Sequence, residues 1–230
     1  MKSKLLGLSL ALTLLASAAP TIQPGRACYV YGSKVSFKAS EFPGEAPVEI
    51  LTYFQEDGNP APQPNQASYE GTLNTGPQGI VEGEFPAPNS GNTGKSGILH
   101  VWVRAQNDQS LSARGQVRIV PIAVTPEIVG YNDTNGSVDL KVTGFLNYPV
   151  LYCHYIYQQP GKPDKEIKTI KVGALQQPEG SLSLKFKKFP FKPAKGGYII
   201  QFDGVEKYEN MSNTVSTPDR PFVCFYTSVV

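Results

Sequence analysis

One property limits this chain more than any other: most of it is written twice. "KVSFKASEF" (34–42) lines up with "SVDLKVTGF" (137–145), so that Val35, Phe37, Ala39 and Phe42 fall on Val138, Leu140, Val142 and Phe145. Further along, Pro47-Val48 falls on Pro149-Val150, "GTLNTGPQG" (71–79) on "GALQQPEG" (173–180), and "SGILHVW" (96–102) on "GGYIIQF" (196–202). The matched pieces keep their order and only short loop insertions separate them. The chain therefore reads as two copies of one unit, each of which must bury its own apolar face.

Within each copy the period is two. Val35, Phe37 and Ala39 alternate with Lys34, Ser36 and Lys38, and Val138, Leu140 and Val142 alternate with Asp139, Lys141 and Thr143. Successive side chains of a strand point to opposite faces, so this alternation predicts half-buried strands. The strands expected to follow are "VEILTYFQ", "SYEGTL", "IVEGEF", "ILHVWVRA" and "GQVRIV" in the first copy. In the second they are "VLYCHYIYQ", "EIKTIKV", "SLSLKF", "YIIQFDG" and "FVCFYTS". Turn-rich stretches such as "EDGNPAPQPNQ" and "QPGKPD" separate them, and the 22 Gly and 20 Pro suit strands and turns better than helices. About seven short strands in about 100 residues is the pattern of an immunoglobulin-like sandwich.

The framework stretches "TGFLNYPVLY" (143–152), "GALQQPEGSLSLKF" (173–186) and "GGYIIQF" (196–202), with weaker copies in the first unit, resemble the tandem immunoglobulin-like repeats of secreted bacterial proteins. The resemblance implies an all-β chain of two tandem immunoglobulin-like β-sandwiches. It implies no particular activity, because such sandwiches carry many functions. Antibody hallmarks are missing: neither unit has cysteines on both its second and sixth strands, and the single Trp102 falls on the sixth strand instead of the third. Periplasmic pilus chaperones also pair two sandwiches behind a leader, but their basic subunit-anchoring residues have no counterpart in matching context.

At the N-terminus, Lys2 and Lys4 precede an apolar run from Leu5 to Leu15 and the small residues Ala16-Ser17-Ala18. These are the three regions of a secretory signal, and the run is too short for a comfortable membrane span. The expected organisation is a signal peptide over 1–18, a first sandwich over 19–121 and a second over 122–230. Cys28 follows "PGRA", where Arg26 occupies a position that a lipid-attachment motif reserves for a small residue, so no lipid anchor is expected. No later stretch reaches the about 20 apolar residues of a spanning helix, so no membrane insertion is expected after signal cleavage. A net charge of +2 gives no electrostatic case for nucleic acid.

Three cysteines in an oxidising compartment permit one disulfide. Cys153 and Cys224 share the second unit and form the candidate pair. They sit on strands that would flank a third, about 9–10 Å apart, so a bond between them needs an irregular register.

Every catalytic constellation falls short. "GNTGKSG" (91–97) resembles the end of a phosphate-binding loop, but its first glycine would have to be Asn89 and a strand follows it, so it reads as a turn. His100 and His154 are the only histidines and lack the partners of a zinc site or a nucleophilic triad. His154 falls where the first unit has Thr52, which suits a solvent-side strand position. "YNDTNGSVD" (131–139) offers Asp133, Asn135 and Asp139 but lacks the closing Glu of a calcium loop, so it too reads as a turn. No metal and no cofactor are expected.

The candidate contact surface is "KFKKFPFKPAKGGY" (185–198), where Lys187, Lys188, Lys192 and Lys195 interleave with Phe189 and Phe191. Aromatics can stack on sugars while lysines meet carboxylates. The plainer reading makes Phe186 core and the lysines guards of a strand edge. Tyr148, Tyr152, Tyr155 and Tyr157 form a second aromatic concentration, with Tyr152 and His154 on one strand face and Tyr155, Tyr157 and Cys153 on the other.

The expectation is a secreted, non-catalytic binding or structural module of the cell surface, periplasm or extracellular space, with a protein or polysaccharide partner. The alternative is a carbohydrate-binding accessory protein using the Lys/Phe/Tyr-rich region of the second unit. A periplasmic chaperone-like role stands behind both.

Overall fold

The computed structural model describes residues 18–88, 95–128, 136–159, 161–211 and 214–230. Residues 1–17, which hold nearly all of the expected signal peptide, most of "GNTGKSG", and Asp133 and Asn135 lie outside the described residues.

The alternating segments form strands as their periodicity requires. In the first unit these are β1 (Thr21–Pro24), β2 (Cys28–Val30), β3 (Lys34–Ser40), β4 (Pro47–Glu56), β5 (Ser68–Asn74), β6 (Val81–Pro86), β7 (Gly97–Ala105) and β8 (Ser112–Val120). In the second they are β9 (Ala123–Thr125), β10 (Ser137–Thr143), β11 (Val150–Gln158), β12 (Lys165–Ala174), β13 (Leu182–Lys187), β14 (Gly196–Asp203) and β15 (Phe222–Val229). The short strands β1, β2 and β9 were not anticipated, because three or four residues are too few to show an alternation.

Sheet β1-β3-β6 faces sheet β2-β8-β7-β4-β5, and sheet β13-β10-β9 faces sheet β12-β11-β14-β15. This is an all-β, immunoglobulin-like architecture in which β3, β4, β6 and β7 have their counterparts in β10, β11, β13 and β14. Strand β2 adds to the first unit in parallel with β8, from Cys28 opposite Arg118 to Val30 opposite Val120.

Two separate cores fill the sandwiches. Val35, Phe37, Ile50, Leu99, Val101 and Val117 close the first, and Leu140, Phe145, Leu151, Tyr155, Phe202 and Phe225 the second. One backbone device recurs in both. Gly79 and Gly180 have positive φ, and a side chain at either would run into the backbone of Phe42 or Phe145. Only glycine tolerates both the conformation and the approach, which lets the Phe42 and Phe145 amides donate to the Gly79 and Gly180 carbonyls.

The units meet through a small apolar cluster of Cys28, Val30 and Val120 packed with Ile122 and Leu146. Beside it Arg118 reaches both ways. Its Nη1 and Nη2 donate to Asp57 at 2.5 and 2.7 Å, and its Nε donates to Glu179 of the second unit at 2.8 Å. Such forked, charge-assisted bonds fix direction as well as distance, and they hold the Asp57 carboxyl below the usual carboxylate range.

Candidate functional site

The Lys/Phe stretch does not form one surface. Phe189 is fully buried, edge-on to Tyr198 at 5.0 Å and to Phe191 at 5.7 Å, and Phe191 meets Tyr155 edge-on at 5.1 Å. Lys188 is 2% exposed and its Nζ donates to Thr227 Oγ1 at 2.8 Å, with burial lowering its pKa. Of the six residues singled out, Lys187, Lys192 and Lys195 are exposed, while Phe189 and Phe191 belong to the core that the stretch plugs. The stacking platform expected from the sequence is therefore corrected: its rings point inward, because the segment after β13 turns under the sheet to close the sandwich.

The Cys153–Cys224 bond is likewise corrected, since all three cysteines carry free thiols. Cys153 lies opposite Phe202 on β14, whereas Cys224 lies opposite Gln201. The two therefore sit two strands apart and on opposite faces of the sheet, Cys153 in the core and Cys224 outside it. Burial pushes the Cys28 and Cys224 thiols up to about 11 each, and pushes Cys153 up further in the same direction.

His154 is the third correction. It points away from the core, as its position in the alternation requires, yet it is 0% exposed. The start of the connection from β14 to β15, residues 204–211, folds back over this outer face. His154 Nε2 lies 3.1 Å from both Asp203 Oδ1 and the Val205 carbonyl, which are acceptors, so Nε2 donates. Nδ1 lies 2.6 Å from Thr169 Oγ1, whose hydroxyl donates to Glu166. Asp203 also accepts from the Val205 amide at 2.9 Å and from Gln201 Nε2 at 2.7 Å, and the same Nε2 donates to the Glu209 carbonyl. The Tyr208 ring packs on the imidazole at 5.6 Å. Ile156, Ile199 and Met211 are buried on this outer side as well.

The first unit uses its histidine differently. His100 Nε2 donates to Gln55 at 2.7 Å and its Nδ1 accepts from Arg114 at 2.6 Å. Burial and the Arg114 charge lower its pKa. Trp102 stacks on His100 and receives Arg114 over its ring at 5.1 Å.

Two hollows open to solvent beside these elements. One, of about 460 Å³, lies at the joint between Arg26, Tyr29 and Lys34 of the first unit and Leu146, Asn147 and Asp219 of the second. The other, of about 440 Å³, lies on the outer face of the second unit between Tyr152 and Tyr208. Among the described residues no cluster of three or more His, Cys, Asp or Glu is placed to hold a metal, and no helix is long and apolar enough to cross a membrane.

Strand order and register define the class: an immunoglobulin-like β-sandwich chain. No family model and no curated protein matches it. Among solved structures it overlaps the polymeric Ig receptor ectodomain of a teleost fish at 10% identity and a TM-score of 0.32, covering 91% of this chain and 97% of that one. It overlaps CBD12 from CALX1.2 at 12% identity and a TM-score of 0.27, covering 79% of each. Overlaps this loose carry no argument about function.

Proposed function

We propose that this chain is an exported, non-catalytic binding or structural module, two immunoglobulin-like sandwiches held at a set angle and presented to a protein or polysaccharide at a cell surface, in a periplasm or outside the cell. The observation that carries this reading is the joint. Arg118 ties Asp57 and Glu179 across it while Val30 and Val120 pack with Leu146 beside it. A scaffold fixed in this way holds its faces and loops at constant separation, which favours recognition over a hinged, closing active site. The histidines support the same reading. Both ring nitrogens of each are engaged within the scaffold, so neither offers a free general base. Export rests on the basic, apolar and small-residue regions of residues 1–18.

The test has two parts. The intact mass of the protein recovered from a secreting host is expected to correspond to a chain starting at Ala19, and a mass retaining Met1 overturns export. Limited proteolysis of residues 19–230 is expected to spare the 120–123 linker in the natural chain and to cut it faster in Arg118→Ala. Equal cleavage of the two overturns the fixed joint.

A further inference from the structure

The two units share a strand plan but differ in the connection before their last strand. Between β7 and β8 the first unit spends residues 106–111, whereas between β14 and β15 the second spends residues 204–221, of which 204–211 lie across its outer sheet face. Beneath that connection it buries an imidazole, a carboxylate and an amide, each bonded to the others or to the connection's backbone. Buried polar groups are costly unless fully satisfied, and when satisfied they hold one geometry. Here the network pins the stretch that carries Glu206, Lys207 and Tyr208 over Tyr152.

Strand β12 is shaped to the same end. Its pairing with β11 is broken by bulges between Leu151 and Tyr152 and between Tyr155 and Ile156, after which Lys171 faces Tyr152, Thr169 faces His154 and Glu166 faces Ile156. Bulges re-aim side chains, and these two bring Lys171, Thr169 and Glu166 into one row along the hollow.

We propose that this hollow binds a neutral oligosaccharide, an inference that rests on the reading of the chain as a binding module. Its volume of about 440 Å³ falls in the range of about 300–1,000 Å³ typical of small-ligand sites. The lining holds two half-buried tyrosines, two carboxylates, two ammonium groups and a threonine, and no aliphatic side chain. A peptide partner needs an apolar pocket for an anchoring side chain, which this lining lacks. A nucleic acid or acidic polymer needs an excess of positive charge, and here Glu166 and Glu206 offset Lys171 and Lys207. A sugar needs neither. Its hydroxyls donate to the carboxylates and accept from the ammonium groups, and its C–H faces lie against the tyrosine rings.

The probe is an array of neutral hexose and N-acetylhexosamine oligosaccharides, read with labelled residues 19–230, followed by titration of whichever sugar is retained. Wild type is expected to bind, Tyr152→Ala and Glu206→Gln to weaken the titrated affinity by about tenfold or more, and Lys192→Ala, outside the hollow, to bind as wild type. Tyr152 is half-buried and Glu206 exposed, and unchanged far-UV circular dichroism establishes that both variants fold. A blank array, or sugar binding that survives both substitutions, overturns the proposal. Retention of a protein partner that Tyr152→Ala releases also overturns it, while leaving the binding module intact. If neither sugar nor protein is retained by wild type, the binding reading falls with it.

Discussion

Replacing Phe189 by Ala separates a contact surface from a core plug. The ring is fully buried and touches the rings of Tyr155, Phe191 and Tyr198 at centroid distances of 5.8, 5.7 and 5.0 Å. Truncating a buried Phe to Ala costs about 3–5 kcal/mol through lost transfer energy and the cavity left behind. Three aromatic neighbours that cannot all collapse inward keep this site off the lower end, at about 4 kcal/mol. Against a domain stability of about 5–15 kcal/mol, that removes a quarter or more. At about 4–8 °C per kcal/mol for a domain of this size, the melting temperature of the second unit falls by at least about 15 °C. Trp102 is the single tryptophan and lies in the first unit, so its fluorescence follows that unit while the near-ultraviolet tyrosine circular dichroism is weighted toward the second. Lys192→Ala, at an exposed position, is expected to stay within about 0.5 kcal/mol. A Phe189→Ala variant as stable as Lys192→Ala would refute the inward placement of the ring and restore the stretch as a surface.

Three further outcomes follow from the same contacts. Because burial and Arg114 lower the folded pKa of His100, its contribution to stability is fully present above the unfolded histidine value of about 6.5 and declines as pH falls below that value toward the folded one. Urea midpoints read by Trp102 are expected to fall between pH 7 and 5, and His100→Asn is expected to flatten that slope; an unchanged slope contradicts the buried neutral imidazole. With the thiols of Cys28 and Cys224 pushed up to about 11, alkylation of the native protein at pH 8 is expected to be slow and to label all three cysteines only after unfolding, with no intrachain disulfide in a non-reducing mass spectrum. Gly180→Ala, which forces a side chain against the Phe145 backbone at positive φ, is expected to destabilise the second unit by about 1–3 kcal/mol, and a neutral result in thermal unfolding would show that the backbone yields there.

Much of the fold was legible because strand faces are set locally. Alternation at period two placed β11 at its observed limits, Val150–Gln158, and put Tyr155 and Cys153 on one face and Tyr152 and His154 on the other, the first of which packs into the core. The site was less legible. The sequence puts His154 on an outward face but contains no local sign that residues 204–211 will return over it, since loop paths leave no periodicity. Phe189 and Phe191 show the same limit. Pro190 and Pro193 mark the segment as a loop, but whether a loop's aromatics face water or plug a sandwich depends on the space left between the sheets.

By itself the sequence determined that this chain is a pair of β units with defined strands and inward faces, because the alternation that dictates them is read between neighbours one or two residues apart. Tertiary structure alone decided what those faces meet. Asp203 reaches His154 across 49 positions, and Arg118 finds Asp57 and Glu179 each 61 positions away in opposite directions. Contacts that distant arise only once two sheets have packed and their connections have been laid over them, where burial and hydrogen-bond satisfaction select one arrangement among many that the local pattern permits.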